Sequence, residues 1–203
     1  KIKNFNKSKI IYFPAWPESD FIKSSKRPAK EIIKKKDIFT ILFAGNIGEA
    51  QDFPSIIKAA EKLVAKKFYK FRIITVGDGS KKDWLIKEVK RKKLDNYFEI
   101  LNQYPLDRMP SFFAHADSLL VSLKNEEAFN MTIPGKIQTY LTSGIPILGM
   151  LNGEGAKTII SSKSGYVCAA GDFEGLSKII IKMSFITKEK RKELGKNGKS
   201  FCR

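Results

Sequence analysis

The stretch LLVSLKNEEAFNMTIPGKIQTYLTSGIPILGMLNGEGAK, residues 119–157, decides the fold. An apolar run ends at Leu123 and a polar loop follows. The pattern then predicts a helix from about Thr132-Ile133-Pro134 and a second apolar run over residues 145–150. A Gly-rich turn, Gly153-Glu154-Gly155, opens another helix. Two strand ends and two helix starts thus fall close together. In a parallel α/β sheet, strand C-termini and helix N-termini share one edge, and ligands bind at that edge. Backbone N–H groups at a helix start favour anions, and Lys136 in the first turn adds a charge. The stretch reads as the site of a phosphate-bearing ligand.

The flanking sequence extends the same alternation. Residues 38–44 form a continuous apolar run of the kind seen in buried parallel strands. The turn Gly45-Asn46-Ile47-Gly48 follows, then a helix is expected over 53–66 with Ile56, Ile57, Ala60, Leu63 and Val64 inward. A second strand over 71–76 ends at Gly77-Asp78-Gly79 and leads into a helix over 81–93. A third strand over 97–101 exits through Gln103-Tyr104-Pro105, and a short helix near 109–116 precedes a fourth strand over 118–123. Downstream come a strand over 165–169 and a helix over 173–183. Thr187 caps a last helix ending near Gly198, although Lys190 stands where a capping box wants Glu or Gln. Alternation with short connections predicts an α/β fold, a Rossmann-like doubly wound parallel sheet over residues 38–203. Residues 1–37, basic and interrupted by Pro14 and Pro17, read as a connector to something upstream, with a short strand over 10–13. The first residue is not Met, so the chain is expected to be processed or cut from a longer protein.

Lys and Arg number 38 against 21 Asp and Glu, for a formal net charge of +17. That excess admits three readings: solvated Lys-rich faces, an anionic membrane surface, or nucleic acid. No aromatic RNA-binding motif, zinc finger or Arg-rich recognition helix accompanies it. No apolar run approaches the ~20 residues of a spanning helix, and no signal-peptide pattern is present. Cys168 and Cys202 have no metal-ligand spacing and make no disulfide framework, and the single His115 adds nothing to them, so no metal is expected.

Neither Gly45-x-x-Gly48 nor Gly77-x-Gly79 completes the G-x-G-x-x-G dinucleotide fingerprint, which argues against NAD. His115 lies beside an apolar helix face carrying Phe112 and Phe113 and is expected to be structural. Ser161, Ser162 and Ser164 have no base in view and no nucleophile elbow. Glu126 and Glu127 read as a solvated pair. Glu154, between glycines ahead of a helix, either accepts hydrogen bonds from sugar hydroxyls or simply favours the positive helix end. Lys124 and Lys136 converge on one edge, where they either compensate a pyrophosphate or remain solvated. Read alone, the residues define an α/β domain with an anionic-ligand edge.

Several segments in order are similar to a known family. They are residues 43–51 (FAGNIGEAQ), 76–79 (VGDG), 120–124 (LVSLK), 133–141 (IPGKIQTYL) and 153–156 (GEGA). Together they resemble the C-terminal, donor-binding half of GT-B fold glycosyltransferases of the large retaining family 4. The subgroup most alike adds amino sugars, of the N-acetylfucosamine type, in bacterial O-antigen and capsule assembly. The resemblance implies that a nucleotide-diphosphate sugar, commonly UDP-linked, is held without a metal or other cofactor. It places Gly45, Asn46 and Gly48 near the diphosphate or sugar, with Gly77 in the neighbouring exit turn and Tyr104 bordering the base. It places Thr132, Lys136 and Lys124 at the phosphates, Thr139 at the ribose, and Glu154 with Gly155 at the transferred sugar. Catalytic roles fall to Glu154 and Lys136.

The chain departs from the family at two places. Met131 and Thr139 stand where the family's paired glutamates fall, and Glu49, Gln51 and Asp52 occupy the region of its usual Arg and Lys. Charge compensation then passes to Lys124 and Lys136. The resemblance further implies a missing N-terminal half holding a saccharide or lipid-linked acceptor, a cytoplasmic location at the inner membrane face, and no turnover by this chain alone. Two alternatives remain at this point: a sugar-nucleotide epimerase of the same fold, and a basic nucleic-acid-binding module.

Overall fold

The computed structural model describes residues 27–202. Six strands form one sheet: β1 Phe39–Ala44, β2 Phe71–Val76, β3 Phe98–Leu101, β4 Ser118–Ser122, β5 Ile147–Met150 and β6 Gly165–Cys168. Every pairing is parallel and the order is β3-β2-β1-β4-β5-β6. The chain therefore builds outward from β1 in one direction, then crosses back to start β4 beside β1. A crevice opens at that reversal, above the strand C-termini.

Eight helices are described: α1 Phe53–Ala65, α2 Lys82–Arg91, α3 Met109–Phe113, α4 Glu127–Asn130, α5 Gly135–Ser143, α6 Gly153–Ser161, α7 Phe173–Phe185 and α8 Lys188–Phe201. They cover both faces of the sheet, so the strands are buried on both sides and read as unbroken apolar runs. Side-chain alternation divides the core into two layers. Ile41 and Phe43 of β1 meet Ile56, Leu63 and Ile180 from α1 and α7. Leu42 and Ala44 face the layer that holds Phe112, Ile137, Tyr140 and Ile159 from α3, α5 and α6.

Most expected elements form within one to three residues of their expected ends. Thr187 caps α8, its hydroxyl accepting from the Lys190 amide at 3.2 Å, and the helix runs past Gly198 to Phe201. Gly198 continues the helix because it faces inward against Leu141 and Ser164, where a side chain would crowd. The region read as one polar loop after Leu123 contains the helical turn α4. Its four residues are too few to show a periodicity.

The expected strand over 10–13 lies outside the described residues. Residues 27–37 pack against the sheet: Ala29 and Ile32 are buried, and the Ala29 amide donates to Ser111 O at 2.9 Å. His115 is structural here, its Nε2 lying 2.8 Å from Ala29 O.

Candidate functional site

A cavity of about 760 Å3 opens at the crevice between the exits of β1, β2 and β3 and the face of α5. Its size suits a nucleotide-scale ligand. The exit turn of β1 contributes Gly45 and Asn46, and that of β2 contributes Gly77, Asp78 and Gly79. Tyr104 and Gln103 come from the loop after β3, and Lys136, Thr139 and Tyr140 come from α5.

Lys136 is the unusual member. It sits in the first turn of α5, and its Nζ is buried with no hydrogen-bond partner among the described residues. It lies 3.9 Å from the centroid of the Phe43 ring, whose face attracts the cation. Burial pushes its pKa down from 10.5 to about 8. A buried ammonium with no counter-ion is costly, and an anion entering the crevice would relieve it. Tyr140, one turn further on, fixes this geometry. Its hydroxyl accepts from the Ala44 amide at 2.9 Å and donates to the Ala44 carbonyl at 3.2 Å. Burial raises the phenol well above its ordinary value, so it stays protonated. α5 is thereby bolted to the end of β1, and Lys136 is held over Phe43.

The exit turns of β1 and β2 are zipped together beyond the strands. The Gly45 amide donates to Val76 O at 2.9 Å, Ile47 to Asp78 O at 2.7 Å, and Lys81 to Ile47 O at 2.9 Å. This spacing demands glycine at 77, because a Cβ there would lie 1.9 Å from Gly45 O. The Gly48 amide is occupied, donating to Gln51 Oε1 at 3.1 Å.

The remaining site candidates stand at the same edge but do not line this cavity. Lys124 pairs with Glu49, which also binds Lys81 at 2.6 Å. The hydrogen bonds from Lys124 and then Lys81 hold the Glu49 carboxyl down at about 2. Glu154 pairs with Lys157 at 2.8 Å within α6. The Thr132 hydroxyl donates to backbone carbonyls of α4, at 3.3 Å to Ala128. Gly155 is buried where a side chain would meet Leu151 and Ile137. The starts of α5 and α6 have no side-chain cap, which leaves first-turn amides facing the edge. Asn152, the residue before α6, instead donates to Asn125 Oδ1 at 2.9 Å and accepts from the Ala170 amide at 3.1 Å.

Sequence reasoning missed Tyr140, Asp78, Gln103 and the Glu49–Lys81 contact. Tyr140 carried a faint signal, a tyrosine one turn after the expected phosphate lysine. The Glu49 contact carried none, since it joins loops about thirty residues apart.

The crevice, with its uncapped helix starts and buried, unpartnered cation, defines a Rossmann-like domain with a positively charged edge. Residues 24–201 match the family described as Glycosyl transferases group 1, and the chain belongs to that family. A 2-deoxystreptamine N-acetyl-D-glucosaminyltransferase of Niallia circulans is 25% identical over 147 residues, covering 72% of this chain and 36% of the relative. A putative colanic acid biosynthesis glycosyl transferase, WcaI, of Escherichia coli is 32% identical over 143 residues, 66% of this chain and 33% of the relative. The chain thus spans about a third of the length of these curated relatives.

Among solved structures, the C-terminal domain of the group 1 protein LpcC from Francisella tularensis aligns with a TM-score of 0.63 at 17% identity, covering 93% of this chain and 92% of that one. Anabaena HepE, solved in complex with UDP-glucose, aligns with a TM-score of 0.67 at 18% identity over 82% of this chain and 44% of that one. These identities speak for the fold alone: a Rossmann-like parallel α/β sheet of the kind found in these GT-B glycosyltransferases.

Proposed function

We propose that the chain is the donor-binding half of a retaining glycosyltransferase that takes a sugar from UDP and passes it to a saccharide or lipid-linked acceptor. The observation that carries this reading is the buried, unpartnered ammonium of Lys136 at the wall of a nucleotide-sized cavity. A nucleoside diphosphate supplies what that site lacks: negative charge at Lys136 and an aromatic ring toward Tyr104. Thr139, one turn after Lys136 on the cavity face, takes the ribose. Gly45, Asn46 and Gly48 approach the diphosphate, with Gly77 setting the width of the gap. Thr132 completes the phosphate contacts, and Glu154 with Gly155 takes the transferred sugar. Lys136 and the uncapped helix starts stabilise the leaving diphosphate electrostatically, with no metal. Lys124 acts less directly, since Glu49 already shares its charge.

The transferred sugar is an N-acetylated amino sugar. The setting is bacterial surface polysaccharide assembly on the cytoplasmic face of the membrane. The likeness to an N-acetylglucosaminyl- and a colanic acid transferase favours that setting. The acceptor binds to the other half of such an enzyme, so this chain alone binds donor without turnover.

A thermal-shift panel of UDP, ADP, GDP and an oligonucleotide tests the reading. Stabilisation greatest with UDP is expected. A response to the oligonucleotide alone overturns it, and sugar transfer by the isolated chain overturns the statement on turnover.

A further inference from the structure

Helices α1 and α7 run side by side and antiparallel to the strands, so both end at the strand N-terminal edge, opposite the cavity. Lys62 pairs with Glu174 at 2.8 Å along their contact, and Phe68, just beyond α1, packs on Phe185 at the end of α7 with centroids 6.2 Å apart. At this tip Phe185 is 76% exposed and the neighbouring Tyr69 is 51% exposed. Exposed lysines lie in the same segments: Lys66, Lys67 and Lys70 in the loop after α1, and Lys182 and Lys188 in α7 and at the start of α8, with Lys182 Nζ 4.2 Å from the centroid of the Tyr166 ring. None of these five lysines takes part in an ion pair among the described residues.

Helix dipoles account for lysines in last turns. They give no reason to hold two aromatic rings out in water beside them. A patch that combines exposed rings with ammonium groups matches an interface of acyl chains beneath anionic headgroups. A second copy of the chain fits poorly, because a two-fold contact would set like charges face to face. Nucleic acid fits less well than lipid, because the Phe68 and Phe185 planes are tilted by 51° and pack on each other. They offer bases no parallel stacking platform.

We propose that this tip, built from Phe185, Tyr69 and the lysines at 66, 67, 70, 182 and 188, is a docking surface for anionic lipid bilayers. It lies at the far end of the strands from the cavity, so lipid docking leaves the nucleotide edge open to solvent. This inference goes beyond the donor-binding reading and stands without it.

Co-sedimentation tests it, with vesicles of phosphatidylcholine alone and vesicles mixed with phosphatidylglycerol. Binding to the mixed vesicles only, weakened by salt, is expected. Lys67→Ala and Lys70→Ala should each lower vesicle affinity by about fivefold. The Phe185→Ser/Tyr69→Ser pair should remove most of the binding while leaving the melting temperature and the response to UDP unchanged. Equal binding to both vesicle types overturns the proposal, as does full binding by the aromatic pair variant. Oligonucleotide binding that depends on the same residues, without vesicle binding, assigns the patch to nucleic acid instead. Vesicle binding without any UDP response would leave this proposal standing while removing the donor-binding one.

Discussion

At the scale of single residues, Lys136 carries a conflict between stability and binding. Its pKa falls from 10.5 to about 8 in the fold, which corresponds to roughly 3 kcal/mol at about 1.4 per unit. The depressed value means that the fold disfavours the charged form. That penalty is therefore fully present below pH 8, is released as pH rises from 8 towards 10.5, and is gone above it. Lys136→Met keeps an unbranched chain of similar length and removes the charge. At pH 7 the variant should melt several degrees higher than the parent and lose most stabilisation by UDP. The difference in melting temperature should shrink between pH 8 and 10, which a thermal scan across pH measures. Binding of a diphosphate to the charged lysine also links affinity to proton uptake. UDP affinity should fall about fivefold from pH 8 to 9 in the parent, beyond any slope seen in the variant.

The lysine was legible in the sequence as a first-turn cation on a ligand edge, yet the sequence equally allowed it to be solvated. What decides the matter is Phe43 beneath it and the Tyr140–Ala44 bonds beside it. Those contacts span about ninety residues of chain, beyond the reach of any local pattern.

At the scale of elements, the exit turns of β1 and β2 set the width of the site. Gly77-x-Gly79 looks in sequence like a plain strand exit, because the demand for glycine comes from a partner turn about thirty residues earlier. Gly77→Ala would drive a Cβ to 1.9 Å from Gly45 O. It should cost about 2–4 kcal/mol by denaturant titration and weaken UDP binding. Gly135→Ala is the contrast, since a Cβ there meets nothing within 4 Å. It should leave stability equal or up to about 1 kcal/mol higher. Equal losses for both variants would remove the argument about the gap. The strands and long helices were readable because buried parallel strands form apolar runs and amphipathic helices repeat. The short turn α4 was not, because four residues show no periodicity, and the end of α8 was not, because the packing of Gly198 on Leu141 and Ser164 is a tertiary contact.

At the scale of the molecule, the alternation of strands and helices predicted the doubly wound sheet. Alternation alone, however, does not say where the strand order reverses. The reversal after β3 carries α5, which follows β4, back beside the exits of β1 to β3, and the cavity lies between them. The sequence also does not show that residues 27–37 dock on the sheet. There Ala29 and Ile32 are buried, and buried Arg72 donates to Ile33 O at 2.8 Å as well as to Thr40 and Glu99. A chain starting at residue 38 should lose about 2–4 kcal/mol, from the missing burial of Ala29 and Ile32 and one lost partner of a buried cation. The loss is measured against a chain starting at residue 27. Identical melting of the two shorter chains would contradict that role.

The central claim is that the fold holds an uncompensated cation for a nucleoside diphosphate. Calorimetric titration of UDP and of uridine into the parent and into Lys136→Met tests it most directly. UDP should bind the parent at least tenfold more tightly than uridine does, and the substitution should remove most of that advantage without changing uridine binding. Undiminished UDP affinity in Lys136→Met, or UDP binding no tighter than uridine in the parent, would contradict the account.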